Sequence, residues 1–270
     1  MRNQMQTSRF ELKYVVNEEL ARQIRDFARC HLDLDENSIG KPDFSYPVHS
    51  LYLDSDALLT YWNTINGDRN RFKLRIRFYN EDRETPVFFE IKRRVNNSIK
   101  KQRAGVRREA VCRILAGHLP DTAYFASREP KHTFAVQEFI RLMQQVEARP
   151  MLHVAYRREA YMPREDNSAR LTLDRDVRSE PDPAARLSTQ MRNPRVTWGK
   201  AVILELKFTN RFPKWFAELV RVFNLQQSGA AKYVDGLAQH SSRTFSSIIG
   251  RPGRRKATEI ENHEISCTQF

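Results

Sequence analysis

A chain of 270 residues with 40% hydrophobic content can bury a real core, as one large domain or two modest ones. Its 46 Lys and Arg against 33 Asp and Glu leave a formal net charge of +13, which points to anionic partners: nucleic acid, acidic lipid headgroups, nucleotides or condensed phosphates. Cys30, Cys112 and Cys267 are far apart and form no C-x-x-C pair, so neither a disulfide framework nor a cysteine zinc site is indicated.

In chain order, residues 9–16 alternate Arg9, Glu11 and Lys13 with Phe10, Leu12 and Tyr14 and predict a first strand. Asn17 as a cap, early Glu18 and Glu19, and Leu20, Ile24 and Phe27 at helical spacing predict a helix to about Cys30. A loop at 40–43 precedes a short strand from Ser50 to Asp54, then a short helix over 55–65 closed by the Asn66-Gly67-Asp68 turn. A basic strand follows at 70–80, and the polar run 81–86 joins it to a strand at 87–94 as an antiparallel hairpin. Residues 95–105 predict a loop and a basic strand carrying Lys101 and Arg103. Helices are expected at roughly 107–117 and 132–147, the second with Phe134, Phe139, Leu142 and Met143 as its apolar stripe. Strands return at 151–161 and 169–177, the Pro-rich stretch 178–199 reads as a long loop, and 201–209 is the last long strand. Pro213 suits the first position of a helix with Trp215, Phe216, Leu219, Val220 and Phe223 on its apolar side, and a final element surrounds Lys232, Tyr233 and Val234. Residues 1–8 read as an N-terminal extension, 9–241 as the folded domain and 242–270 as a tail of disorder-prone composition.

Several strands carry charge on one face and apolar side chains on the other. Lys73, Arg75 and Arg77 oppose Phe72, Leu74, Ile76 and Phe78; Glu90, Lys92 and Arg94 oppose Val87, Phe89 and Ile91; Glu205 and Lys207 oppose Leu204, Leu206 and Phe208; Arg170, Thr172, Asp174 and Asp176 oppose Leu171, Leu173 and Val177. One such strand is ordinarily the wet side of an antiparallel sheet. Here Lys73, Arg75, Arg77, Lys92, Arg94 and Lys207 lack equal numbers of carboxylates, and like charges on adjacent strands repel unless an anion neutralises them. The expected fold class is therefore α+β: an antiparallel β-barrel forming a tunnel with a charged lumen, its apolar faces packed outward against helices. Glu11, Glu90 and Glu205 each precede a lysine by two residues on the same face. Such hard oxygen donors beside phosphate-binding cations suit Mn²⁺ or Mg²⁺, although plain salt bridging accounts about equally well for Glu11 and Glu90.

Other chemistries find no motif. There is no G-x-x-x-x-G-K-[ST] loop, no G-x-G-x-x-G, no G-x-S-x-G elbow and no H-x-x-x-H or H-E-x-x-H spacing among the seven histidines. The basic 250–256 cluster reads as a solvated extension more readily than an RNA contact. Met1 to Ser8 hold no apolar signal core and no run approaches the ~18 to 20 apolar residues of a membrane span, so a cytoplasmic chain is expected.

At its strands the sequence resembles the catalytic domain of the VTC (vacuolar transporter chaperone) family, a branch of the triphosphate tunnel metalloenzyme and CYTH-like superfamily. The resemblance rests on Arg9-Phe-Glu-Leu-Lys-Tyr14, Ser50-Leu-Tyr-Leu-Asp54, Phe72-Lys-Leu-Arg-Ile-Arg-Phe-Tyr79, Phe89-Glu-Ile-Lys-Arg93, Tyr156-Arg-Arg-Glu-Ala-Tyr161, Arg170-Leu-Thr-Leu-Asp174, Ile203-Leu-Glu-Leu-Lys207 and Lys232-Tyr233, in family order from residue 9 to about 236. It implies a tunnel barrel whose polymerase chemistry extends polyphosphate with the γ-phosphoryl group of ATP. By position, Arg75, Arg77, Lys92 and Arg158 would be catalytic, Lys13, Arg170, Lys207 and Lys232 would bind substrate, with Lys101 or Arg103 supplying one more contact, and Glu205 matches the family's metal-binding glutamate. Arg9 stands where the superfamily often has an acid, which disfavours a two-metal tripolyphosphatase, and Ala231 replaces a serine common before the late lysine. Triphosphate hydrolysis on the same fold and noncatalytic polyphosphate binding remain the alternatives. Duplex nucleic acid is not expected in a closed tunnel. Recruitment to the inner face of a membrane by a membrane-protein partner, and the oligomeric state, stay open.

Overall fold

Alternating apolar and charged runs assemble into one ten-stranded sheet in the computed structural model, which describes residues 9–96, 98–166 and 168–240. The expected extension 1–8 and the tail 242–270, with its basic cluster, lie outside the described residues. The long strands are β1 (Arg9–Val16), β3 (Ser45–Asp54), β4 (Asn70–Phe78), β5 (Val87–Val95), β6 (Ser98–Val106), β7 (Arg149–Met162), β8 (Ala169–Pro181) and β10 (Val202–Thr209). They lie in the order β1-β10-β8-β7-β3-β4-β5-β6, all neighbours antiparallel, and the two-residue strands β2 (Asp33–Leu34) and β9 (Arg195–Val196) add to β7 and β8.

The helices are α1 (Glu18–Ala28), α2 (Leu59–Ile65), α3 (Val111–Leu115), α4 (Pro130–Gln145), α5 (Lys214–Val222) and α6 (Lys232–Ala238). Asn17 caps α1 as its side chain predicts, accepting the Leu20 N–H at 2.8 Å. Helices α1 and α5 cover the apolar face of β1, β10 and β8, where Ile24, Leu171, Leu204, Leu206, Phe216 and Leu219 are buried together. Helices α3 and α4 cover that of β3 to β6, around Leu51, Leu74, Ile76, Phe89, Ile91 and Phe139. No helix of the described residues is long and apolar enough to cross a membrane.

Several expectations need correction. The sheet is not a closed barrel: among the described residues no ladder joins β1 to β6, its two edges. It curls enough for Lys92 of β5 to reach Glu11 of β1 at 2.8 Å, so a side-chain ion pair spans the seam. Alternation tells which face a residue takes and is silent on whether the first and last strands meet. Nor do all helices pack outside. The last helix, α6, sits on the charged side of the sheet, where Tyr233 stacks on Tyr52 at 5.0 Å and Val48, Leu152, Val154 and Ile203 pack beside it. Gly236 permits this approach, since a Cβ there would come within 3.1 Å of Ser179 and 3.2 Å of Leu152. Phe134 is 60% exposed because it lies about 140° round α4 from buried Phe139. The stretch 178–199 is not simply a loop: β8 runs to Pro181, β9 pairs with it, and Ala185 and Leu187 enter the core. A positive φ at Asp176 and a register shift opposite it break the alternation while the ladder continues. Cys30 is an exposed free thiol.

Candidate functional site

Strand register turns alternating charges into rows that cross the curved face. On one half, Glu11 of β1, Lys207 of β10 and Arg170 of β8 form one row, and Lys13, Glu205 and Thr172 the next. Asp174 of β8 stands opposite Arg158 of β7 in the row beyond. On the other half, Tyr52, Arg75, Glu90 and Arg103 line up across β3 to β6, and Lys73, Lys92 and Lys101 across β4 to β6. Directly opposed residues project from the same face, so these rows share one lining.

Glu205 is the most heavily contacted carboxylate. It accepts from Lys207 at 2.6 Å, Lys232 at 2.9 Å and Arg158 at 3.3 Å, with Lys13 at 3.6 Å. Burial pushes its pKa up, but these four cations outweigh burial and hold it well below the ordinary carboxylate range. Arg158 directs two prongs to Asp174, both at 2.7 Å, and Lys232 reaches the same carboxylate at 2.6 Å. Lys13 also donates to the Ala230 carbonyl at 2.8 Å, tying β1 to the segment that leads into α6. Glu11 lies between Lys92, at 2.8 Å, and Lys13, at 3.4 Å.

The second carboxylate centre is Glu90, fully buried, with Arg75 at 2.6 Å, Lys101 at 2.7 Å and Arg103 at 3.3 Å. Arg75 also donates to the Tyr52 hydroxyl at 3.2 Å; burial would raise that phenol's pKa, yet Arg75 and Arg77 bring it below its ordinary value. Arg77 is held by neutral oxygens, the Tyr156 hydroxyl at 3.0 Å and Ser50 Oγ at 3.4 Å. Its positive charge therefore has no carboxylate in direct contact among the described residues. Burial lowers the pKa of Lys101 to about 7 and that of Lys207 to about 8 in spite of their glutamates.

The fold thus brings Lys13, Glu11, Lys92, Glu205, Lys207, Arg158 and Lys232 into one ion-pair network and Arg75, Glu90, Lys101 and Arg103 into another, with Arg77 between hydroxyls. Arg170 stands apart from both by ion pairing. Its guanidinium meets Asp35 at 2.7 Å, and its Nε is buried without a partner. Sequence reasoning named neither Asp174 nor Asp35, nor Tyr52 and Tyr156, as site residues. Asp174 was visible on a charged strand face beside Arg170; Asp35 comes from a segment with no periodic signal.

Cations outnumber carboxylates on this face, so it suits a polyanion, and Arg supplies the planar donor geometry that phosphate oxygens accept. Among the described residues, no three His, Cys, Asp or Glu side chains converge as a ready-made metal cage. Glu205 and Glu11 nevertheless fit a divalent cation that takes its remaining ligands from phosphate and water, because both are ionised, buried and share Lys13. Glu90 lies in the other ion-pair network, its oxygens engaged by Arg75, Lys101 and Arg103 and without Lys13 beside it.

A family model described as the VTC domain matches residues 8–241. None of the curated proteins matches the chain. Among solved structures, a Bacillus halodurans protein provisionally described as an adenylate cyclase aligns at 14% identity and a TM-score of 0.45, covering 83% of this chain and 95% of that one. The PH1819 protein of Pyrococcus horikoshii aligns at 13% identity and a TM-score of 0.44, covering 86% and 99% respectively.

Proposed function

Because this chain belongs to the VTC-domain family over residues 8–241, we propose that it is a metal-dependent polyphosphate polymerase that transfers the γ-phosphoryl group of ATP to a growing polyphosphate chain. The observation that supports this reading most directly is the lining itself: Arg75, Arg77, Lys92 and Arg158 share one face with Lys13, Lys101, Arg103, Lys207 and Lys232. Among them Arg77 is held between two hydroxyls, with no carboxylate in direct contact among the described residues.

The acceptor is the terminal oxygen of polyphosphate, already anionic, so attack on the γ-phosphorus needs no side-chain base. A new P–O bond forms, the bond between the γ-phosphorus and its bridging oxygen breaks, and ADP leaves with the electron pair. The protein's work is alignment of two anions and neutralisation of charge on the transferring group. Arg75 and Arg77 grip phosphate oxygens from β4, Arg158 and Lys232 from the opposite side, and Lys92, Lys13 and Lys207 complete the enclosure. Asp174 keeps Arg158 and Lys232 in place. Glu205, with Glu11, would hold Mn²⁺ or Mg²⁺, which supplies charge neutralisation to phosphate oxygens when bound. Arg170 joins the substrate set if phosphate displaces Asp35.

Incubating the purified protein with ATP and Mn²⁺ and resolving products on a gel tests the assignment. Long polymer is the expected product. Free phosphate alone would replace it with triphosphate hydrolysis, and tight polyphosphate binding without turnover under any metal would make the protein a binding subunit.

A further inference from the structure

Lys73 is a lining cation without a counter-ion. On β4 it stands directly opposite Lys92 of β5, which stands opposite Lys101 of β6, so three lysines form one row across three strands. Like charges placed this way destabilise a sheet. Two of the three are compensated, Lys92 by Glu11 at 2.8 Å and Lys101 by Glu90 at 2.7 Å. Lys73 makes no ion pair or hydrogen bond among the described residues; its ammonium lies 5.8 Å from the centroid of the Tyr233 ring. The carboxylate that favours its charge is Asp235, whose own oxygen accepts the Ala231 N–H at 2.7 Å. Arg71, two residues before it on β4, and Arg94 opposite Arg71 add further positive charge on the same face. Burial first, then Lys13, Lys92 and Arg71, bring the Lys73 pKa down to about 7.

Lys73 lies two positions before Arg75, roughly 7 Å along β4, and Arg77 two positions beyond Arg75. We propose that Lys73 is a chain-length-determining residue: with Lys92 it forms a subsite for a phosphate group further along the chain than those gripped by Arg75 and Arg77, so that it recognises long polyphosphate but not triphosphate. This rests on the polyanion reading of the lining and adds which residue distinguishes the length of the anion. An incoming phosphate oxygen completes the row electrostatically, giving the unpaired ammonium the anion that no described side chain provides.

The test is calorimetric titration of the full chain and of Lys73→Met with inorganic tripolyphosphate and with long-chain inorganic polyphosphate. A charge-assisted contact of ordinary strength predicts that Lys73→Met weakens long-chain binding about tenfold while tripolyphosphate affinity changes less than about twofold. Repeating the titrations at pH 8 in two buffers of different ionisation enthalpy measures proton uptake. The wild type should take up more protons with the long chain than with tripolyphosphate, and the variant should lose that excess. Lys73→Gln, which keeps a polar side chain, serves if the Met variant does not fold. Equal weakening of both ligands, or none, overturns the inference. Failure of the wild type to bind either ligand would instead overturn the proposed function, so the two failures are distinguishable.

Discussion

Replacing Asp174 by Asn removes one negative charge from a fully buried position where Arg158 donates twice at 2.7 Å and Lys232 lies at 2.6 Å. Burial opposes that carboxylate's charge, but Arg158 and Lys232 prevail and keep its pKa below the ordinary value. Breaking a buried pair by removing one partner typically costs about 3–5 kcal/mol, because the other charge stays buried without compensation. Here two cations are left, yet Glu205 still contacts Lys232 at 2.9 Å and Arg158 at 3.3 Å, so the lower end, about 3 kcal/mol, is expected. Urea unfolding followed by tryptophan fluorescence would read this as a lower midpoint with an unchanged slope. A second arm tests the cause: saturating tripolyphosphate brings negative charge to the same cations, so it should raise the midpoint of Asp174→Asn more than that of the wild type. A loss below about 1 kcal/mol, or equal stabilisation of both proteins by the ligand, would refute the view that Asp174 holds these two cations against each other.

Other consequences follow from the same geometry. Arg75→Ala combined with Arg77→Ala should abolish polymer on the product gel with the far-ultraviolet circular dichroism unchanged, and Arg77→Ala alone should lower kcat roughly 10²- to 10³-fold, the usual effect of losing one preorganised donor; retained turnover would place these arginines outside the reaction. Glu205→Gln should remove the dependence of activity on Mn²⁺ before it removes polyphosphate binding, as read by a metal titration beside calorimetry, and equal loss of both would count against a ligand role. With Lys73 and Lys101 near 7 and Lys207 near 8, chiefly through burial, the unfolded chain binds more protons than the folded one from about pH 7 up to the ordinary lysine value of 10.5. These groups should therefore make the ligand-free protein more stable as pH rises through that window, while polyanion affinity falls between about pH 7 and 9; affinity that rises instead would contradict the charge assignment. His49 and His153, 3.0 Å apart and buried, are held down to about 4 and about 3, mainly by burial. Unfolding lets them protonate near 6.5, so stability should drop as pH falls from about 6.5 towards 4, and His49→Leu combined with His153→Leu should flatten that part of the profile.

The fold was legible wherever a local period carried it. Strand and helix positions, the β4–β5 hairpin and the Asn17 cap all follow from residues a few positions apart. The lining cations were legible for the same reason, since Lys13, Arg75, Arg77, Lys92 and Lys207 each alternate with buried neighbours. Phe134 misled because it lies on a different face of α4 from Phe139, and the 178–199 stretch because one irregularity in β8 shifts a pattern that is read residue by residue.

By itself the sequence determined which side chains face together along each strand, because a period of two is a covalent property of extended backbone. Only the tertiary structure decided which of them meet. Register set Asp174 against Arg158, curling of an open sheet carried Lys92 to Glu11, and Gly236 allowed α6 to lie against the charged face and deliver Lys232 to Glu205. Those contacts join residues up to 81 positions apart, as in Lys92 and Glu11. Their energies depend on shared burial and on the summed field of neighbouring charges, which no window of the chain contains.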